Sequence, residues 1–436
     1  MTRRGLLCAA AALAPKGRPK ILLREALQFE NIGDSGRVPG TIRLFDQHLP
    51  DAEVTLWPWR LHAREREILM AAFPKLRIAE GDLDANGNAS TPALAEAWAS
   101  SNIFVSPAKS ASTYRQWAAT GRPYGLFGTA FDPISGRDSQ PEGATLESLR
   151  QQIDQLPPGT FDRKFGSRQL YERASFIFCR DTLSLRFLEK QSVRPGRLAF
   201  GPEGCFAIAV RDDRRAEEWL RLHGLQHGGY ICVVPRLRFT PYYRVHNLPR
   251  EKQDYEIDAI NGRTTAADHQ PLREMIALWV RGTGLKVVAC PEMSYQMQTA
   301  KEQLIDPLPE EIKRHVVWRD SFWLANEAAS IYSRARAVVS IECHSPIIAL
   351  ANGTPFLHVR QPVDTVKAQM FQDIGLGDWV REVGETSGQD LWAQLREIHS
   401  SPAKAKKRVQ AALGRVAELQ AGMAVAVRQA IEAGNA

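Results

Sequence analysis

The sequence predicts an α/β protein of two halves, each with a parallel β-sheet, that face each other across a central cleft. Short apolar and β-branched runs alternate with amphipathic stretches, which is typical of alternating strands and helices in parallel sheets. The alternation stops and begins again after Gly228-Gly229. In addition, 436 residues exceed the length that one hydrophobic core usually serves.

Six runs predict the strands of the first half: Lys20–Arg24, Glu53–Trp57, Asn102–Ser106, Tyr124–Thr129, Ser175–Cys179 and Arg197–Phe200. Amphipathic stretches between them predict helices at Leu61–Phe73, Pro92–Ala99, Ser110–Ala119 and Thr182–Lys190. A Gly-, Pro- and Ser-rich loop is expected from Asp132 to Gly143.

The second half repeats this alternation. Its predicted strands are Tyr230–Arg236, Lys286–Cys290, His315–Trp318, Ala337–Ile341 and Pro355–Val359. Its predicted helices are Gln270–Arg281, Trp323–Ala335, Pro346–Ala351 and Gln389–His399. We therefore expect Rossmann-like domains at 19–215 and 229–400, a leader at 1–18, and an amphipathic helix within 401–436 that packs on the protein.

The net charge of +7 does not indicate nucleic-acid binding, because it is concentrated at the two ends of the chain. Residues 1–20 carry +5 and residues 401–436 carry +4, so the body between them is almost neutral. A basic stripe on the folded body is therefore not expected. The six cysteines lack paired spacing and predict neither disulfides nor a metal site.

The first fourteen residues allow two interpretations. Arg3-Arg4 and the apolar run after them resemble a twin-arginine export signal. A disordered basic leader is the alternative, because Pro15 would hinder cleavage after Ala14. We expect a cytoplasmic protein, with export as the alternative. The basic residues after 401 also suggest peripheral contact with the inner membrane face.

The most informative segment runs from Ala337 to Pro355 and reads as strand, helix and strand. Ser345 is a natural N-cap and Pro346 suits the first helical position. A helix N-terminus favours an anion, and ligands bind beyond the carboxyl ends of parallel strands. We therefore expect His344, as a proton carrier, at the mouth of the cleft.

Two further segments hold candidate binding residues. The turn after the first strand contains Asn31, Gly33 and Asp34, which suit close backbone approach and the orientation of a substrate hydroxyl. A polar stretch from Phe239 to His269 is predicted to be a long loop that closes over the cleft as a lid. In or beside this loop, arginines could bind a phosphate and a carboxylate: Arg236, Arg238 and Arg244.

Together these segments resemble the polysaccharide pyruvyl transferase family, which has a glycosyltransferase-B-like (GT-B-like) fold. The resemblance covers roughly 29–382. The matching motifs are Asn31-Ile32-Gly33-Asp34, Cys179-Arg180-Asp181-x-x-Ser184, Gly201-Pro202-Glu203 and the Val339–Gly353 block with His344.

The resemblance implies transfer of the pyruvyl unit of phosphoenolpyruvate to two hydroxyls of a saccharide or lipid-linked saccharide, as a ketal. No cofactor is implied, since phosphoenolpyruvate is the donor substrate. This chemistry needs an acid, a base and cations. By resemblance His344 is the acid/base residue or phosphate partner. With the residues argued from the sequence, the candidate catalytic residues are His344, Glu342 and Asp34, and the candidate binding residues are Asn31, Gly33, Arg236, Arg238, Arg244, Ser345, Arg360 and Lys367.

Glu342 departs from the family, which usually has an arginine two residues before the histidine. We expect Arg236, Arg238 or Arg360 to face this carboxylate, because an unpaired carboxylate beside an anion is costly. Two other functions remain open. One is a GT-B glycosyltransferase that uses a nucleotide sugar, and the other is a saccharide-binding relative without catalysis.

Overall fold

The computed structural model describes residues 17–26, 28–134 and 144–434. Residues 1–16 of the leader expected at 1–18, and most of the loop expected at 132–143, lie outside these ranges. Within them, the strands are β1 Lys20–Glu25, β2 Glu53–Pro58, β3 Arg77–Ile78, β4 Ile103–Ser106, β5 Tyr124–Thr129, β6 Phe176–Cys179, β7 Leu198–Phe200, β8 Tyr230–Val234, β9 Lys286–Ala289, β10 Val316–Trp318, β11 Val338–Ser340, β12 Phe356–Arg360 and β13 Val380–Glu382.

Helices connect successive strands and cover both faces of each sheet. They are α1 Ile32–His48, α2 Ala63–Ala72, α3 Pro92–Ser100, α4 Ala111–Ala118, α5 Leu146–Gln155, α6 Thr160–Phe165, α7 Arg168–Glu172, α8 Thr182–Lys190, α9 Asp213–Leu222, α10 Tyr242–Val245, α11 Lys252–Thr283, α12 Gln296–Ala300, α13 Glu310–Lys313, α14 Ala325–Tyr332, α15 His344–Ala351, α16 Gln369–Asp373, α17 Gly388–Ser400 and α18 Pro402–Gly434.

The strands that the structure describes form two parallel sheets. The N-terminal sheet has the order β3-β2-β1-β4-β5-β6-β7, and the C-terminal sheet has the order β10-β9-β8-β11-β12-β13. Leu22 of β1 pairs with Thr55 on one side and Phe104 on the other, so the strand order reverses between β1 and β4. The same reversal separates β8 from β11. The predicted fold class is confirmed, including the helical C-terminus.

The expected loop from Phe239 to His269 is wrong in its second part. A 32-residue helix, α11, begins at Lys252 and continues to Thr283. Gly262 and Pro271 lie inside it, and its first turns are polar because they face solvent, so the apolar periodicity is weak. The irregular segment is therefore 239–251, interrupted by the single turn α10.

Helix α1 was not predicted, because Gly33, Gly36, Pro39 and Gly40 all disfavour a helix in isolation. Tertiary packing reverses that preference. A Cβ atom on Gly40 would lie 1.9 Å from the carbonyl oxygen of Gly204, so α1 packs against the 3₁₀ turn Gly204–Ala207 at backbone contact distance.

The C-terminal helix α18 packs on the protein, with the first part of its buried face on the C-terminal half and the second part, from Met423 to Ile431, on the N-terminal half. Its Gln420 side chain donates to the carbonyl oxygen of Glu203 at 3.0 Å. Two of its basic residues pair with acids, Lys404 with Glu397 and Arg408 with Asp378. Among the described residues, no helix is both long enough and apolar enough to cross a bilayer.

We predict that Gly40→Ala lowers the free energy of unfolding by about 1–3 kcal/mol, because the added methyl group forces α1 away from the turn at Gly204. Urea unfolding measures this change. Gly414→Ala in α18 is the matched control, since a Cβ there meets no atom within 4 Å. Equal effects of the two substitutions would contradict the close packing of α1.

Candidate active site

The site lies where loops beyond the carboxyl ends of both sheets meet. Asn31, after β1, forms an isolated bridge with Met293, after β9. The N–H of Ser294 also donates to the carbonyl oxygen of Glu30 at 3.0 Å. The strand order reverses between β1 and β4 in one sheet and between β8 and β11 in the other, and ligands of parallel sheets bind beyond the carboxyl ends of strands at such reversals.

His344 lies inside this junction rather than at an open mouth, and it is 8% exposed. Its Nε2 is 3.2 Å from Oε1 of Glu203, which follows β7 in the N-terminal half. Its Nδ1 is 3.3 Å from Oε1 of Glu292, which follows β9 in the C-terminal half. The helix α15 begins at His344 itself, two residues before the expected start at Pro346.

Gly33 provides the space that His344 occupies. A Cβ atom at Gly33 would lie 2.1 Å from Cγ of the imidazole. Asn31 holds this turn in place, since its Oδ1 accepts from the N–H of Gly33 at 2.7 Å and caps α1.

Glu292 is held by Ser345, which donates to its Oε2 from the backbone N–H at 2.6 Å and from the hydroxyl at 2.8 Å. The hydroxyl of Tyr332 supports Ser345 at 3.1 Å. Ser345 therefore orients the carboxylate instead of capping its own helix. Sequence reasoning missed Glu292, although its position just after a buried strand is where ligand-binding residues of parallel sheets lie.

The two carboxylates keep the imidazole charged. Burial acts to lower the pKa of His344, but Glu203 and Glu292 outweigh it and raise the pKa to about 10. In turn, burial acts to raise the pKa of Glu203, whereas His344 and Arg180 hold it well below its usual range. Nη1 of Arg180 lies 2.8 Å from Oε2 of Glu203. At neutral pH His344 is therefore an imidazolium at the centre of a triad formed by Glu203, His344 and Glu292.

Glu342 faces Arg236, one of the three arginines that we expected opposite it. Nε of Arg236 is 3.4 Å from Oε1 of Glu342, and Nη1 is 2.6 Å from Oδ1 of Asp364. The amide of Gln296 donates to Glu342 at 2.7 Å. Burial, partly offset by Arg236, raises the pKa of Glu342 to about 7. This carboxyl group can therefore take up or release a proton near neutrality.

The other arginines do not reach the junction centre. Arg238 pairs with Asp268, with both contacts at 2.9 Å, and Arg244 is 3.6 Å from Asp258 on the surface. Arg360 is fully buried and binds Glu382 and the carbonyl oxygen of Ala144.

Lys367 is half-buried, and its charge acts to lower the pKa values of Glu342 and Asp364. Burial is the largest single influence on both carboxyl groups and acts to raise their pKa values; it prevails at Glu342, whereas Arg236 and His358 hold the pKa of Asp364 well below its usual range. Lys367 therefore lies close enough to the Glu342–Arg236 pair to add positive charge there.

Asp34 lies beside the segment 239–251. Its Oδ2 accepts from Gln28 at 2.7 Å, and the same Gln28 side chain contacts the hydroxyl of Tyr242. His246 reaches Glu30 at 3.8 Å. The segment 239–251 therefore contacts the N-terminal half through Tyr242 and His246. The arginines that we expected to make this contact do not make it.

A family model for polysaccharide pyruvyl transferases matches residues 161–361 of this chain. These residues include three of the four motifs that suggested the family, and the resemblance is confirmed over them. The Asn31–Asp34 turn lies outside the match. No curated protein matches this chain.

Solved structures with the same fold span nearly the whole chain. The UDP-GlcNAc 2-epimerase from Neisseria meningitidis, bound to UDP-GlcNAc, is 10% identical and covers 94% of this chain and 100% of its own, with a TM-score of 0.52. A glycosyltransferase from Rickettsia africae is 11% identical and covers 95% and 99%, with a TM-score of 0.52. The fold is therefore GT-B-like, and family and fold together support a saccharide-modifying transferase.

We predict that His344→Gln lowers the free energy of unfolding by about 3–5 kcal/mol at pH 6.5, because it leaves two buried carboxylates without their shared cation. The raised pKa of His344 means that its contribution is fully present below about pH 6.5 and is lost as the pH rises through about 10. The difference in free energy of unfolding between the variant and the wild-type protein should therefore decrease from pH 6.5 to pH 10, as measured by urea unfolding.

The control is His48→Gln at the exposed end of α1, which should leave stability nearly unchanged at both pH values. If the difference for His344→Gln stayed constant with pH, the imidazole would not be charged in the folded protein.

Proposed function

We propose that this protein transfers the pyruvyl unit of phosphoenolpyruvate to a saccharide, free or lipid-linked, as a ketal. The observation that carries the proposal is the burial of His344 between Glu203 and Glu292, where the two halves meet. His344 holds a proton there at neutral pH, which a group that protonates the methylene carbon of an enol phosphate must do. The family match supports the same reaction class.

The reaction balances with the residues at hand. His344 donates a proton to the methylene carbon, which becomes the methyl group, while one sugar hydroxyl bonds to the adjacent carbon. A second hydroxyl bonds to that carbon as the bond to the phosphate oxygen breaks, and inorganic phosphate leaves. Of the two hydroxyl protons, one restores the imidazolium and one leaves on the phosphate. Glu342, with a pKa near 7, is the proposed base that receives a hydroxyl proton first.

Cationic groups for the donor lie on both sides of the junction. The Nε–H of Arg180 is buried and has no hydrogen-bond partner in the part of the chain that the structure describes. It can therefore donate a hydrogen bond to an oxygen of phosphoenolpyruvate. Arg236 and Lys367 supply positive charge near Glu342. Guanidinium groups suit both the phosphate and the carboxylate of phosphoenolpyruvate.

Two alternatives keep specific support. The first is transfer from a nucleotide sugar, because a structure with this fold, MnaA from S. aureus, was solved with UDP. MnaA is 8% identical and covers 90% of this chain and 91% of its own, with a TM-score of 0.52. Saccharide binding without catalysis is the other, because Glu342 and Asp364 already neutralise Arg236.

Ligand binding separates the three functions. We expect phosphoenolpyruvate to raise the unfolding temperature of the wild-type protein, because a ligand that binds the native state stabilises it. UDP-GlcNAc should have no such effect. A response to UDP-GlcNAc alone would support glycosyl transfer, and no response to either compound would support the non-catalytic alternative.

We predict that the transfer rate rises with pH through about 7, since Glu342 must be ionised to act as the base. Glu342→Gln should lower the rate at pH 8 by about 10²–10⁴-fold and remove this dependence. Phosphate release in the presence of a saccharide acceptor measures both.

Glu65→Gln is the matched control, because burial also raises the pKa of Glu65 to about 7, yet its carboxylate accepts from the N–H of His62 in the capping box of α2. If Glu65→Gln removed the pH dependence and Glu342→Gln did not, Glu342 would not be the base.

A further inference from the structure

A cavity of about 500 Å³ lies in the C-terminal half, beside the junction, and His344, Glu203, Glu292 and Glu342 do not line it. The long helix α11, the residues after β9 through the π-helical turn Lys301–Ile305, and the segment near Arg244 line it. Its volume is within the usual range for sites that bind small molecules, and π-helical turns are frequent at such sites.

The chemistry of the lining suits a neutral ligand with many hydroxyl groups. Ser294, Thr299 and Gln303 line the cavity, and their side chains have no hydrogen-bond partner among residues 17–26, 28–134 and 144–434. These groups can both donate and accept hydrogen bonds. Saccharide hydroxyls have the same dual capacity.

The charges at the cavity argue against an anionic occupant. Arg244 lines the wall, but its guanidinium is 3.6 Å from Asp258. Asp258 also accepts from Arg250 at 2.7 Å, and Glu302 adds a further carboxylate. A phosphate or nucleotide would meet these carboxylates without an unpaired cation in the wall, whereas a neutral sugar would not be repelled.

Tyr295 separates the cavity from Glu342. Its ring lines the wall, and its hydroxyl accepts from the amide of Gln296 at 3.3 Å. The same amide donates to Glu342 at 2.7 Å. A ligand in the cavity would therefore lie one side chain away from the Glu342–Arg236 pair.

We propose that this cavity is a saccharide subsite, which binds a neutral sugar residue of the acceptor next to the one modified beside His344. That the bound sugar belongs to the acceptor rests on the proposed function. That the cavity binds a sugar rests on its lining alone. Contacts to parts of a substrate that do not react can position the reacting part. The adjacency of the cavity to Glu342 fits such a role.

Gly262 of α11 offers a direct test, because it lines the cavity and a Cβ there would meet no atom within 4 Å. Gly262→Leu should fill the space without straining the helix. Calorimetry without any donor, using lactose, maltose and cellobiose, should detect binding of at least one sugar to the wild-type protein. We expect at least tenfold weaker binding by Gly262→Leu and a smaller loss in Thr299→Val.

Gly414→Leu in α18 is the control, since Gly414 is also helical, exposed and free of neighbours within 4 Å. It should bind the sugars as the wild-type protein does. Unchanged binding by Gly262→Leu, or no binding of the three sugars by the wild-type protein, would overturn the subsite. A third outcome separates the two proposals. If Gly262→Leu abolished sugar binding but the wild-type protein transferred no pyruvyl group, the proposed function would be refuted and the subsite would stand.

Discussion

The contact of one imidazole with two carboxylates, each from a different half of the chain, is the interaction on which the rest of the site depends. Glu203 comes from the N-terminal half, Glu292 from the C-terminal half, and His344 lies between them. A carboxylate is costly to bury without a partner, and the His344–Glu203 contact, unlike the His344–Glu292 contact, forms only when the two halves are together. The same contact therefore holds the halves together and sets the charge of the proposed acid.

Backbone packing makes that contact possible. Gly33 leaves the space for the imidazole, and Gly40 lets α1 lie directly on the turn that carries Glu203. Because both glycines belong to α1, this helix fixes the distance between the N-terminal half and His344. The close approach of α1 is thus a requirement of the site as well as a feature of the core.

Much of the fold could be predicted, because parallel strands read as continuous apolar runs and most of these runs are strands in the structure. The short edge strands β3 and β13 carry too few apolar residues to give such a signal. The helices α1 and α11 contain glycine and proline, and only tertiary packing decides their conformation. Among the site residues, His344 and Glu342 stood out because they follow a strand directly. The positions of Arg238 and Arg360 could not be predicted, because their partners Asp268 and Glu382 are distant in sequence. No local sequence pattern shows that these residues are close in the fold.

The path of the C-terminal helix has a mechanical consequence. The chain crosses from the first half to the second between β7 and β8, and α18 returns across the junction to pack on the first half. Any displacement of one half relative to the other therefore has to be accommodated by two covalent connections rather than one. Because Gln420 of α18 donates to the carbonyl oxygen of Glu203, the second connection is anchored at a residue of the triad.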